Sequence, residues 1–424
     1  MRIVIVTAGG AGMFCGACMH DNTWARALQQ AGHEVVLLPL YTPLTLDDDS
    51  QSTRRIYVGG VNVYLDARFP FWRHVPRWIK RWLDAPWVLR LASQFSVSNN
   101  AADLGDLTLS LLEGEAGPHR FALQDLNHHL AELAPDFICF SNLMLGGGAA
   151  ALRRQFPGQI WCVLQGDDIF LDALHEPWRS ESWSRLRNFA SDFDGFVTHS
   201  DFYRTFMGGR LGLQEGKVHL LPLSIDCSKH LGQPKRDLGS PPTVGYFARI
   251  DPAKGLDQLV EAVVLLQEQF PNVRLRAGGY LGGAHREYFK RVRELAAPLG
   301  DRFEYIGSPE TLAEKAAFLQ GLDVFSVPTR YHEPKGLFLL EAWANGLPVV
   351  QPAHGAFPEL IRSTGGGLLV EPDNAAALAA GLARVLANDS LRQELAAAGA
   401  AGVRALHDLP ALAAATGQVW QAPR

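Results

Sequence analysis

Cysteine is scarce and scattered: 424 residues hold five, at Cys15, Cys18, Cys139, Cys162 and Cys227. An odd, dispersed set builds no disulfide framework and fits a reducing compartment. No stretch approaches the roughly 20 consecutive apolar residues that a bilayer-spanning helix needs. The opening MRIVIVTAGG breaks on glycine too early for a secretory signal, so the expected location is the cytoplasm. An excess of positive charge is also missing. The formal net charge of −5 gives no global attraction to nucleic acid or acidic lipid, and any polyanion must be held by a local patch. What remains is an ordinary globular balance, 47% apolar and 20% charged, on a chain long enough for two domains.

Residues 2–7 (RIVIVT) form a short β-branched run that breaks on Gly9, Gly10 and Gly12. Spacing predicts a helix from about Ala17 to Ala31, stopped by Gly32, and EVVLLPL after it reads as a second strand. Strand, glycine-rich turn, helix and strand open a doubly wound, parallel α/β sheet. DFICFS (136–141), IWCVLQ (160–165) and GFVTHS (195–200) continue it as buried strands. The pattern restarts at TVGYFARI (243–250), followed by a helix over 255–270. Further strands are NVRLRAGG (272–279), DVFSVP (323–328), LPVVQP (347–352) and GGLLVEP (366–372). DCSKHLGQPKRDLGSPP (226–242), rich in Pro, Gly and charge, reads as a linker. The expected architecture is one Rossmann-like domain over 1–225 and another over 243–405, with a helix-prone, alanine-rich end. Ligands of such sheets bind outside the carboxyl ends of the strands, where helix N-termini point.

The most informative stretch is VPTRYHEPKGLFLLEAWANGLPVVQPAHGAFPELI (327–361). Glu333 precedes Pro334 and is pushed toward an extended conformation. Pro334 suits the first turn of a helix from about Lys335 to Asn345. That helix offers unpaired N–H groups near Gly336, Leu337 and Phe338, at the positive end of its dipole. Gly336 removes the side chain that would block a ligand from them. Glu341 lies in an otherwise apolar face, where a carboxylate needs a partner; a pair of ligand hydroxyls is a natural one. The plain alternative is that Glu341 is exposed and Glu333 caps a helix.

Two glutamates with seven residues between them, a glycine three after the first, then EA and GLPVV, closely resemble the donor-site signature of the family-4 retaining glycosyltransferases. GYFARIDPAKG (245–255) resembles that family's basic phosphate-binding motif, with Arg249 and Lys254 at the usual spacing. CGACMHDNTWARALQQAGHEVVLL resembles its first loop and helix; Gly16 falls on the second glycine of a pair and Cys15 replaces the first.

The resemblance implies the GT-B fold, two Rossmann-like domains facing across a cleft, with the last helix (406–424) crossing back to the first domain. It also implies retaining transfer from a nucleoside-diphosphate sugar, UDP- or GDP-linked, without metal or other cofactor. Arg249, Lys254 and the amides near Gly336 would hold the diphosphate, acting where charge grows in the transition state. Glu341 would grip the ribose and Glu333 the hydroxyls of the transferred sugar. Tyr280 and Ile306, with Tyr305, are candidates for the base edge, and Gly16 would face phosphates or acceptor. The acceptor side falls to Asp21, Asn22, Gln165, Asp167 and Asp168; a small molecule, a glycan or a lipid-linked sugar would all serve as acceptor.

The chain departs from the family where a histidine usually stands in the first domain. Gln165 takes that place in LQGDDIF (164–170), and an amide cannot accept a proton. Asp167 and Asp168 beside it read as helix caps before they read as acceptor ligands. Cys15-x-x-Cys18-x-His20-Asp21 looks like part of a zinc or redox motif, but no second cluster completes it, and a tight turn of small residues explains it as well. FPFWRHVPRWIKRW (69–82) interleaves aromatics with Arg73, Arg77, Lys80 and Arg81, a composition for a membrane-surface element or an ordinary helix with tryptophans inward. Three other classes share features of the chain: a dinucleotide-dependent oxidoreductase, a nucleotide-sugar epimerase, and a non-catalytic sugar or membrane-surface binder. For the first, TAGGAGMF lacks the G-x-G-x-x-G register.

Overall fold

The computed structural model describes residues 1–9, 16–40, 46, 49–53, 104–230, 232 and 241–421. Gly10, Gly12, Cys15, most of the expected linker and the aromatic-basic segment 69–82 lie outside them. The chain divides into two compact units, Met1–Leu221 with Ala413–Arg424, and Pro222–Leu412.

The first unit is a parallel sheet of β1 (Arg2–Thr7), β2 (Glu34–Pro39), β3 (Phe137–Phe140), β4 (Gln159–Val163), β5 (Gly195–Thr198) and β6 (Val218–Leu220), in the order β2-β1-β3-β4-β5-β6. Ile3, Val4, Ile5 and Val6 are fully buried, as are Ile138, Cys139, Cys162 and Val197. Near-continuous apolar strands are what a sheet covered on both faces requires. Strand order reverses between β1 and β3, which opens a crevice at their carboxyl ends.

The second unit repeats the plan with β7 (Thr243–Phe247), β8 (Arg274–Gly278), β9 (Phe303–Tyr305), β10 (Val324–Phe325), β11 (Val349–Pro352) and β12 (Gly367–Val370), all parallel, in the order β12-β11-β10-β7-β8-β9. Its reversal lies between β7 and β10. The core gathers around Trp343, whose indole donates to the Gly366 carbonyl at 2.8 Å.

The expected linker is in part structured. Cys227 N–H donates to Asp408 at 3.1 Å, His230 pairs with Asn345 at 2.9 Å, and Gly232 N–H reaches the Ala344 carbonyl at 3.1 Å. Its first residues are therefore packed into the second unit, because each finds a polar partner there. The alanine-rich end forms three helices, Ala375–Leu386, Asp389–Leu406 and Leu409–Gln421. The last spans both units: from Ala413 it belongs to the first, where Trp24 donates to Thr416 at 3.0 Å and Trp420 stacks on Phe137 at 4.4 Å. No helix among the described residues is long and apolar enough to cross a membrane.

Trp420 is buried and also meets Trp24 at 5.6 Å. Trp420→Ala is expected to destabilise the first unit by about 3–5 kcal/mol, the range for large aromatic truncations. Urea unfolding followed by probes specific to each unit checks this; loss confined to the second unit would contradict it.

Candidate functional site

In the second unit, the chain leaving β7 and the chain leaving β10 meet at the switch point. After β7, Asp251 accepts from Ala253 N–H at 2.9 Å and starts a short turn that ends on Gly255. Gly255 has φ of 72°, and a Cβ there would lie 2.0 Å from the Pro328 carbonyl oxygen, so the two exits touch backbone to backbone. Arg330 fastens them. Its guanidinium takes both oxygens of Asp257 at 2.8 Å and the Pro252 carbonyl at 2.6 Å, while its N–H donates to Ala253.

This stitching brings Lys254 to Glu333. Lys254 Nζ lies 2.8 Å from Glu333 Oε2, with both side chains largely buried. The Tyr331 hydroxyl donates to the same Oε2 at 2.7 Å and accepts from Lys254. The ammonium also sits 4.9 Å from the Tyr331 ring centroid and 5.3 Å from that of Phe338. Oε1 faces the N–H groups of Lys335 at 3.4 Å and Gly336 at 3.3 Å. Burial alone would push the Glu333 carboxyl up. The Lys254 charge and hydrogen bond, then the Tyr331 hydroxyl, outweigh it and hold the group at about 2.

The helix after this turn runs Leu337–Ala344 and starts later than expected, because Gly336 adopts the left-handed conformation (φ 81°) as its N-cap. The expectation of open amides changes accordingly: Gly336 N–H is committed to Glu333, while no described residue accepts from Leu337 or Phe338 N–H. Glu341 is buried, but its partner is within the chain: Lys315 Nζ lies 2.8 Å from Oε1. Arg249 is exposed and lies 3.5 Å from Asp251, which also faces His285 at 3.7 Å. Tyr280 and Ile306 stand at the exits of β8 and β9, where Ile250 N–H donates to the Tyr280 carbonyl and Ile306 N–H to the Ala277 carbonyl. Tyr305 donates to the Gly279 carbonyl at 2.7 Å.

In the first unit the switch point holds Thr7, Asp21, Ser141 and Gln165, all buried. Thr7 donates to Asp21 at 2.6 Å, and the Gln165 amide reaches Asp21 at 3.5 Å and the Ser141 carbonyl. The other acceptor-side candidates have structural partners. Asn22 clamps Asp49 and Gln51. Asp167 and Asp168 do not cap the helix they open: Gly166 is its N-cap. Asp167 accepts from Leu143 N–H at 2.9 Å and Gln165 N–H at 3.2 Å, tying the exits of β3 and β4, and Asp168 accepts from the Tyr203 hydroxyl. Burial raises the Asp167 carboxyl to about 6 and raises Asp168 as well. Gly16 is exposed at the start of the helix Gly16–Gln30, where a Cβ would meet nothing within 4 Å. Cys18 is buried, its sulfur facing the Thr7 hydroxyl at 3.9 Å. Among the described residues, no group of three or more His, Cys, Asp or Glu side chains is placed to hold a metal ion.

Sequence reasoning missed Tyr331, Arg330 and Lys315. Tyr331 lies two residues before Glu333, a spacing that puts both on one side of extended chain. Lys315 carried a faint signal, a lysine among alanines in LAEKAAFLQ.

Residues 233–401 match the family model described as glycosyl transferases group 1. The chain is 33% identical over 227 residues to phosphatidyl-myo-inositol mannosyltransferase of Mycobacterium tuberculosis H37Rv, covering 52% of this chain and 57% of that protein. It is 29% identical over 330 residues to D-inositol 3-phosphate glycosyltransferase of Actinosynnema mirum, covering 63% and 78%. The chain spans about half the length of the mycobacterial relatives, 42% for that of Mycobacterium leprae. Among solved structures, sucrose-phosphate synthase of Thermosynechococcus elongatus superposes with a TM-score of 0.71 at 20% identity, over 99% of this chain and 98% of that one. HepE of Anabaena, solved with UDP, gives 0.69 at 16% identity over 99% of each.

The buried pair Lys315–Glu341 yields a prediction. Removing one partner leaves an uncompensated charge, so Lys315→Ala is expected to cost about 3–5 kcal/mol. Lys315→Met with Glu341→Leu together should cost much less, and a double-mutant cycle by chemical denaturation measures the difference. The fold is thus that of the GT-B glycosyltransferases, two Rossmann-like domains, and residues 233–401 carry the sequence pattern of glycosyl transferases group 1.

Proposed function

We propose that this chain moves a sugar from a nucleoside-diphosphate donor to an acceptor hydroxyl with retention at the anomeric carbon, the donor lying at the β7–β10 switch point. The observation that carries the reading is the Lys254–Glu333 pair, a buried cation and anion at the carboxyl edge of a sheet beside a helix N-terminus. It lies within the stretch that matches glycosyl transferases group 1. HepE, solved with UDP, shares the fold and supports a nucleotide donor.

On this reading Lys254, Arg249 and the amides of Leu337 and Phe338 receive the diphosphate. An ammonium, a guanidinium and a helix N-terminus oppose the charge that grows as it departs. These cations do the neutralisation a divalent metal would otherwise supply, so the reading needs no metal. Glu333 accepts from hydroxyls of the transferred sugar. Glu341, held by Lys315, reaches the ribose. The bond from the anomeric carbon to the diphosphate breaks, the bond to the acceptor oxygen forms on the same face, and the acceptor's proton passes to the departing phosphate oxygen. That route suits a chain with Gln165 where a base would be useful.

A thermal-shift panel of UDP, GDP, ADP and their sugars tests the donor. The true nucleotide is expected to stabilise the protein by about 2.7 kcal/mol at a hundredfold excess over its dissociation constant. Glu333→Gln and Lys254→Ala should each lower transfer by about 10²–10³-fold. Proton NMR of the product should show the donor's anomeric configuration. Variants that keep near wild-type rates, or an inverted product, would refute the reading.

Acid stability supplies a test that needs no substrate. The Glu333 carboxyl is depressed in the folded protein to about 2, so its contribution is present above the ordinary value of 4.5 and disappears as pH falls toward 2. At about 1.4 kcal/mol per pH unit this is roughly 3 kcal/mol. Glu333→Gln should therefore flatten the second domain's stability profile between those pH values, as read by urea midpoints.

A further inference from the structure

The pair at the switch point is closed on itself. Glu333 Oε2 is taken by Lys254 and Tyr331, and Oε1 faces two backbone N–H groups. In that state the carboxylate has little to offer a sugar hydroxyl, and two of the ammonium's three N–H donors are already taken. A donor that draws on both groups therefore exchanges partners with them. The Tyr331 and Phe338 rings, with centroids 4.9 and 5.3 Å from the ammonium, offer Lys254 an aromatic surface to exchange along. Once it leaves, Glu333 keeps its burial but loses its main compensating charge. The Tyr331 hydroxyl, which stays with the same loop, then remains as the side-chain donor to Oε2, with the Lys335 and Gly336 N–H groups on Oε1 and the Lys335 charge nearby.

Resting on the donor reading above, we propose that Tyr331 is a positioning residue that stores Lys254 on Glu333 before a donor binds and keeps the Glu333 carboxylate a charged acceptor after a donor's diphosphate has drawn Lys254 away. The charged and titratable groups around the pair come from three strand exits. Arg249, Asp251 and Lys254 come from the exit of β7; Tyr331, His332 and Lys335 from that of β10; His354 from that of β11, its ring 5.2 Å from His332. Burial and the neighbouring Glu333 charge push the Tyr331 phenol well above its ordinary value, so it stays protonated and able to donate.

The test is a carboxyl-carbon NMR titration of Glu333, assigned with Glu333→Gln, in the full chain with and without UDP or GDP. In the wild type, nucleotide binding should raise the Glu333 midpoint as Lys254 departs. Tyr331→Phe should raise it in the free protein by about one pH unit. It should move the acid limb of kcat to higher pH, while nucleotide affinity stays within about threefold, roughly 0.65 kcal/mol. Nucleotide binding that leaves the wild-type midpoint unmoved overturns the exchange without needing any variant. A Tyr331→Phe protein with a lower melting temperature but an unchanged titration and pH profile shows a merely structural role. If neither UDP nor GDP perturbs any resonance, the nucleotide-donor reading itself fails.

Discussion

A carboxylate buried in the second domain stays ionised because a lysine from a different part of the sequence is held 2.8 Å away, and much of the site's geometry serves that pair. Lys254 and Glu333 are 79 residues apart. They meet because the sheet reverses its strand order, setting β10 beside β7 although two strands intervene in sequence. Local details then follow as constraints. Gly255 must lack a side chain for one exit to press on the other, and Arg330 must bind Asp257 to hold both still. Gly355 obeys the same demand: a Cβ there would come within 2.5 Å of the Glu333 carbonyl oxygen. Ala356 N–H donates to that oxygen at 2.8 Å, so the β11 exit supports Glu333 from a third side.

The two switch points of the chain have opposite electrical character. In the second domain each buried glutamate has its lysine, Glu333 with Lys254 and Glu341 with Lys315, and a helix N-terminus adds positive potential. In the first, Asp167 accepts from the Leu143 and Gln165 backbone N–H groups, and burial raises it to about 6. Neutral partners leave a buried carboxylate costly to ionise, whereas ammonium partners make ionisation the favoured state. The second arrangement suits a phosphate-bearing ligand, as the functional proposal has it.

Much of this plan was legible in the sequence, and the gaps have physical causes. The long strands announce themselves as apolar runs, but β6 and β9 are three residues each, with burial too partial to leave a pattern. The helix carrying Glu341 was placed two residues early, because the preference of Pro334 for a first turn was outweighed by a left-handed Gly336. Glu333, Lys254 and Gly336 could be singled out because they fall in one motif or a pair of motifs. Lys315 and Arg330 could not, since the reason for each lies in a partner on another element. Glu341 shows the boundary most clearly: an apolar neighbourhood demands a partner for a carboxylate without saying that the partner is Lys315.

The same electrostatics bear on where the acceptor's proton can go. A general base works best when its pKa lies near the working pH. Glu333, held at about 2, is far too weak a base at neutral pH for that task. Asp167, at about 6, has a better-matched value, but its two oxygens accept from Leu143 and Gln165 backbone N–H groups and are spent on joining strand exits. Gln165 offers an amide, which accepts hydrogen bonds but no proton. The depression of Glu333 that keeps it a good hydrogen-bond acceptor is therefore also what disqualifies it as a base. A departing diphosphate gains negative charge as its bond to the sugar lengthens, becoming a better proton acceptor as the incoming hydroxyl becomes a better donor. Under the proposed reaction, the leaving group is the base that neither Glu333 nor Asp167 is arranged to supply.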